Sequence, residues 1–281
     1  KITNVIPTEE GFEGNVVMVT QKGIIKRTPV EEYKNVRKSG LIAITLDEGD
    51  NLAWTRITSG TDELIVATKN GQAIKFSEED VRLVGRSARG VKAIELGEDD
   101  IVVGMGIAKE GTKLLTITED GKGRRTDVNE YRLQTRGGKG VRNFDVEKAG
   151  YVAGVRIVND DDDIILISMS GIIIRMHADT ISHIGRSTRG VRVMNVKDSF
   201  VATVDVTERD DEAETQAPEE TAADLSPEDL AGETEVEEAE INAIIEELAE
   251  VPDLLDIPEQ IIEQPAQDSD DFEATLMFSL D

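Results

Sequence analysis

Residues 63–76 read ELIVATKNGQAIKF, and this stretch decides the fold. Leu64, Ile65, Val66 and Ala67 form a short apolar run rich in β-branched residues. Asn70-Gly71 follows, a strong hairpin signal because both turn positions favour positive φ. Gln72 to Phe76 then alternates polar and apolar, as a return strand does. Farther along, residues 91–96 alternate again, residues 97–100 (GEDD) supply a turn, and residues 101–107 return. The segment reads as four short strands.

The same plan recurs along the chain. Triplets ending in glycine stand at Gly23 (QKG), Gly71 (KNG), Gly121 (EDG) and Gly171 (MSG), with spacings of 48, 50 and 50 residues. A second glycine column at Gly40, Gly90, Gly140 and Gly190 has a spacing of 50, each followed by Leu or Val. Two glycine columns sharing one period mark an internal repeat. No part of the repeating region keeps a helical period for three turns. Four-stranded units at this spacing predict an all-β, propeller-like array of blades, since one small sheet alone is only marginally stable. The blades are expected near 11–60, 61–110, 111–160 and 161–207, with residues 1–10 as the end of an upstream blade or a linker. Trp54 is the single tryptophan, so the recurrent Trp-Asp signature of one large propeller class is missing.

Charge divides the chain in two. The 281 residues hold 58 acids and 31 bases, a net charge of −27. Residues 208–281 carry 27 of the acids and one base, Arg209, so the repeating body is close to neutral. The tail has five prolines and little apolar mass, and disorder is the expectation there. Ile241, Ile244, Ile245 and Leu248 could form one short amphipathic helix near 236–250. The tail either competes for a basic surface on the body or only solubilises the chain. There is no cysteine, hence no disulfide framework and no thiolate chemistry. No apolar run approaches the length of a membrane span, and no signal-peptide core opens the chain. A cytoplasmic address without membrane contact is expected.

The chemistry concentrates in one connection per repeat. Residues 81–92 read VRLVGRSARGVK, residues 131–142 YRLQTRGGKGVR, and residues 181–192 ISHIGRSTRGVR. Four columns align: Arg82 and Arg132 with Ser182; Arg86, Arg136 and Arg186; Arg89, Lys139 and Arg189; Lys92, Arg142 and Arg192. Eleven of these twelve positions are basic, and none of the three windows contains an acid. On a ring of blades, equivalent loops share a rim. A periodic cationic rim suits the phosphate backbone of duplex DNA, because each neutralised phosphate releases counterions. Arginine adds a forked geometry for phosphate oxygens, and small residues let backbone N–H groups approach them. No recognition helix and no repeated Asn or Gln is present, so weak sequence preference is expected.

Other readings stay open at this level. A basic loop is commonly just a solvated loop, and the alternative is a rim that accepts an acidic protein partner, although the periodic, acid-free register of Arg86, Arg136 and Arg186 favours duplex. His177 and His183 have no third metal-ligating neighbour in sequence and read as structural. The acidic run at 160–163 reads as a turn between blades. Tyr33 and Tyr131 occupy a column filled elsewhere by Val81 and Ile181, which reads as packing. Tyr151 lies in an apolar alternation. None of the three tyrosines reads as a strand-cleaving nucleophile.

At these loops the sequence resembles the C-terminal domain of the A subunit of DNA gyrase, a bacterial type IIA topoisomerase. The resemblance covers the whole repeating body. It rests on the period, on Lys26-Arg27-Thr28-Pro29 with Glu31-Glu32-Tyr33, on Arg124-Arg125-Thr126 with Asn129-Glu130-Tyr131, and on Gln134-Thr135-Arg136-Gly137-Gly138-Lys139-Gly140. It implies a β-pinwheel whose blades exchange strands and whose basic rim wraps duplex DNA. The implied process is negative supercoiling, driven by ATP on the B subunit, with Mg belonging to the full enzyme. No cofactor is expected in this chain. Its implied partners are double-stranded DNA, the rest of the gyrase A polypeptide, and the B subunit, in a nucleoid-associated setting. The family has six blades, so about two are expected upstream. The family's signature box has Arg where Thr135 stands and lies in the first blade, so residues 134–140 form a box-like loop. The catalytic tyrosine domain is not in this stretch, so binding without cleavage is expected. The corresponding polypeptide of the related topoisomerase IV carries a similar but more degenerate domain.

Overall fold

A computed structural model describes residue 6 and residues 13–34, 40–197 and 199–209. Residues 210–281, with the expected helix near 236–250, and nearly all of residues 1–10 lie outside the described residues; Glu208, expected to begin the disordered tail, instead ends a strand, paired with Asp162. Four small antiparallel sheets stand in a propeller-like ring. Blade 1 contains β1 (Asn15–Thr20), β2 (Ile24–Pro29) and β3 (Leu52–Thr58). Blade 2 contains β4 (Glu63–Thr68), β5 (Gln72–Ser77) and β7 (Val102–Ala108). Blade 3 contains β8 (Lys113–Thr118), β9 (Lys122–Asp127) and β11 (Val152–Val158). Blade 4 contains β12 (Asp162–Ser168), β13 (Ile173–His177) and β15 (Val201–Glu208). The one described α-helix is a single turn, α1 (Val146–Ala149).

The outer strand of a blade comes from the next repeat. The dipeptide strand β6 (Val91–Lys92) pairs with β2 of blade 1, β10 (Val141–Arg142) with β5 of blade 2, and β14 (Val191–Arg192) with β9 of blade 3. The alternation pattern predicts that residues 91–96 return directly into 101–107 of the same blade. Instead the chain crosses over after the basic loop, closes the preceding blade, and only then enters its own inner strand. Glycine makes the crossover possible. Gly140 has φ +74°, and a Cβ there would sit 2.3 Å from the carbonyl oxygen of Ala73. On β13 no described strand takes this place, and Ile173 is 64% exposed.

The turn at Asn70-Gly71 also differs from the expected two-residue form. Gly71 N–H donates to Thr68 O at 3.1 Å, and only the glycine has positive φ. This is a four-residue turn ending in a left-handed residue, which an αL glycine closes as well as a primed turn does. A hydroxyl supports each such turn. Thr20, Thr68, Thr118 and Ser168 Oγ accept from the amides of Ile24, Gln72, Lys122 and Ile172.

The inner strands β3, β7, β11 and β15 pack side by side. Gly104 and Gly106 let β7 approach β11, because Cβ atoms there would meet Val155 and Ile157 at 2.2 and 2.4 Å. The Arg156 guanidinium lies 4.5 Å from the Trp54 ring centroid and 3.4 Å from Asp205. Burial pushes the Arg56 and Arg156 guanidiniums below their ordinary pKa, and Asp205 partly offsets it. Between blades, apolar layers such as Val17, Leu64, Ile74 and Phe76 supply the burial that a lone sheet lacks.

Candidate nucleic-acid interface

The three basic loops lie on successive blade junctions and are tied to one another. In each, the third residue bridges in parallel to the outer hairpin strand of the preceding blade: Leu83 to Arg27, Leu133 to Lys75, and His183 to Arg125. Each loop then ends in the exchanged dipeptide. Along the rim the loops are chained by arginine. Arg136 donates from Nη1 to the carbonyl of Lys92 at 3.0 Å and from Nε to that of Asp80 at 2.9 Å. Arg186 donates from Nη1 to the carbonyl of Arg142 at 2.8 Å, the same bond one repeat later. Equivalent loops therefore form a continuous edge.

The candidate cations divide by what they hold. Arg82, Lys92, Arg132, Lys139, Arg142, Arg189 and Arg192 are exposed, and their side chains make no hydrogen bond or ion pair with other described residues. Arg89 is chelated by Asp47 through two bonds of 2.5 Å. That contact holds Asp47 below the usual carboxylate range and raises the arginine further. Arg86 lies 3.9 Å from Glu32, and Arg136 and Arg186 are engaged as linkers. The column Arg86, Arg136, Arg186 is thus partly committed to the fold. The box-like residues Gln134 to Gly140 form the middle loop, where Gln134 N–H donates to Lys75 O at 2.9 Å.

The acids, His177 and the tyrosines that read as structural do pair within the fold, whereas His183 is exposed. Asp160 binds Lys113 at 2.8 Å and also Arg125, Asp163 binds Arg175 at 2.7 Å, and His177 Nδ1 lies 2.6 Å from Asp163. Tyr33 and Tyr131 are buried, and Tyr131 donates its hydroxyl to Asn143 Oδ1 at 2.6 Å. Tyr151 is exposed under the Lys69 ammonium, 5.1 Å from it.

A second tier of cations lies beneath the rim, and the sequence pattern does not reveal it. Lys26 and Arg124 are fully buried, and Arg27, Lys75 and Arg125 nearly so. Arg27 donates from Nε to Val81 O at 2.8 Å, and Arg125 from Nε to Ile181 O at 2.8 Å, so each pins the start of the next loop. These cations sit in strands whose alternation also fits a solvated face, which hides them. The available signal is their company: Lys26 and Arg124 occur with Tyr33 and Tyr131, whereas Ile74 and Ile174 occur with Val81 and Ile181.

The family model described as DNA gyrase C-terminal domain, beta-propeller, matches residues 14–59, 62–109, 112–159 and 162–208. Over 93 residues, 33% of this chain, the sequence is 55% identical to the DNA gyrase A polypeptide of Clostridium acetobutylicum; this covers 11% of that protein. It is 49% identical over 92 residues to the corresponding polypeptide of Halalkalibacterium halodurans, covering 32% of the chain and 11% of the relative. The matched part is thus about a tenth of those relatives' length. The chain resembles a solved DNA topoisomerase IV C-terminal domain, with TM-score 0.68, 28% identity, and coverage of 72% of this chain and 64% of that one. It also resembles a DNA gyrase A C-terminal domain, with TM-score 0.65, 28% identity, and coverage of 71% and 68%.

Proposed function

Since the chain belongs to the DNA gyrase C-terminal domain family, whose model matches more than half of it, we propose that it binds duplex DNA along its rim and wraps it. The observation that carries the reading is the row of seven exposed rim cations, unpaired among the described residues, on three acid-free loops chained by arginine-to-carbonyl bonds. Their repetition at a constant interval matches a ligand whose own charge repeats. A protein partner rarely offers that. Contacts go to phosphate rather than to base edges, so affinity is sequence-tolerant and steeply dependent on salt. In the whole enzyme this wrapping would serve ATP-dependent negative supercoiling, together with the remainder of the gyrase A polypeptide and with the B subunit. The chain's own part is to hold and bend DNA.

A gel shift with duplex at two salt concentrations tests this. Replacing the seven exposed cations Arg82, Lys92, Arg132, Lys139, Arg142, Arg189 and Arg192 by Glu should abolish the shift. Retained binding at low salt by a folded variant would place the site elsewhere, and binding of an acidic protein but not of duplex would favour the protein-partner reading.

A further inference from the structure

The carbonyls of Ala43, Ala93 and Asn143 occupy one structural column, 50 residues apart, just beneath successive rim loops. They are satisfied in two different ways. In blade 1, Lys26 Nζ donates to Ala43 O and to the carbonyl of the rim residue Arg86. In blade 3, Arg124 Nη2 donates to Asn143 O and to the carbonyl of the equivalent rim residue Arg186. Blade 2 has Ile74 at this place, fully buried and without a donor. There the rim loop bends inward instead, and Gly137 N–H donates to Ala93 O at 2.6 Å. Gly137 has φ +84°, a conformation that disfavours other residues. Ser87, its counterpart in the loop above Lys26, does not adopt positive φ.

The residues around the donor change with it. Lys26 and Arg124 keep Thr28 with Tyr33 and Thr126 with Tyr131; Ile74 keeps Phe76 with Val81. Arg124 Nη1 bonds Thr126 Oγ1 at 2.5 Å, and its guanidinium lies 4.6 Å from the Phe144 ring centroid. A buried cation with hydroxyl neighbours thus accompanies a loop of Ser-Ala-Arg or Ser-Thr-Arg, and a buried isoleucine accompanies Gly-Gly-Lys.

We infer that Lys26 and Arg124 are positioning residues for the basic rim: each clamps the backbone at a rim arginine from below, and Gly137-Gly138 replaces that clamp where the blade offers no donor. The affinity consequence rests on the DNA-binding reading above; the loop consequence does not. The clamp sets where the flanking Arg82, Arg89 and Lys92, or Arg189 and Arg192, stand relative to one another.

The chain itself supplies the test. Lys26→Ile with Thr28→Phe and Tyr33→Val gives blade 1 the three residues of blade 2. Amide hydrogen exchange across 84–90 should speed up at least about tenfold, the loss expected from one charge-assisted bond. Exchange across 184–190 should stay unchanged. Adding Ser87→Gly and Ala88→Gly should restore protection at 84–90, and duplex affinity should fall and recover in step. Unaltered exchange at 84–90 in the folded triple variant overturns the inference. If the triple variant lacks a cooperative melt, Gly137→Ser decides: its loop, 134–140, should lose protection about tenfold, and retained protection overturns the inference. If no variant or wild-type protein binds duplex, the function fails while the exchange data still judge the clamp.

Discussion

Blades 1 and 3 bury a cation where blades 2 and 4 carry an isoleucine, on the same strand and at the same turn of the repeat. The backbone hardly registers the difference between blade 2 and its neighbours, because a three-stranded antiparallel sheet with an exchanged outer strand forms in either case. What differs is who satisfies a buried carbonyl. A donor on the blade lets the overlying loop use ordinary residues; without one, the loop must turn in and use glycine. The repeat is therefore kept as a shape, while its polar accounting alternates.

The comparison can be broken most forcibly at Arg124. Arg124→Met leaves the Asn143 and Arg186 carbonyls without their donor, and about 4 kcal/mol of stability should be lost in denaturant titration. A loss below about 1 kcal/mol would mean that solvent replaces the donor. The reverse exchange, Ile74→Lys, places a charge beside Phe76 and Val81, where no hydroxyl answers it. It should cost about 3 kcal/mol, measured the same way; a neutral effect would remove the distinction between the two blade types.

Blade 1 also separates from blade 3 in its response to pH. Burial, reinforced by the Arg86 charge and only partly offset by Glu32, lowers the Lys26 ammonium from its ordinary value to about 8. The unfolded chain then binds more protons than the folded one between about pH 8 and 10.5. Stability relative to Lys26→Met should rise with pH across that window, by at most about 3 kcal/mol. Arg124 stays charged throughout, so the corresponding comparison with Arg124→Met should be flat. Thermal melts of the two pairs from about pH 7 to 10.5 check both. The smallest effects belong to the tyrosines. Tyr131→Phe loses a 2.6 Å bond to Asn143 and should cost about 1 kcal/mol. Tyr33→Phe loses a 3.5 Å contact to Ala43 O and should cost less.

Much of this architecture leaves marks in the sequence, and the marks are those of backbone geometry. Gly71 and Gly140 stand where φ is positive or another strand comes close, so their columns reveal the period. The aligned Arg, Lys and Gly of the basic loops reveal one edge. The exchange of β6, β10 and β14 leaves no mark of its own, because Val91-Lys92 alternates identically whether it closes its own blade or the preceding one. The buried tier is hidden for a different reason. Lys26 in IIKRTP looks like a solvent-facing position until the Ala43 and Arg86 carbonyls, distant in sequence, are brought over it. Likewise Arg136 and Arg186 are legible as cations but not as the links between loops, since their acceptors lie 44 residues away.

The claim on which the functional account depends is that the exposed rim cations grip phosphate. The slope of log affinity for duplex against log salt tests it. With about six phosphates neutralised the slope should be near −5, and changing Arg82, Lys92, Arg132, Lys139, Arg142, Arg189 and Arg192 to Gln should bring it close to zero. A folded variant that keeps the wild-type slope would contradict the account.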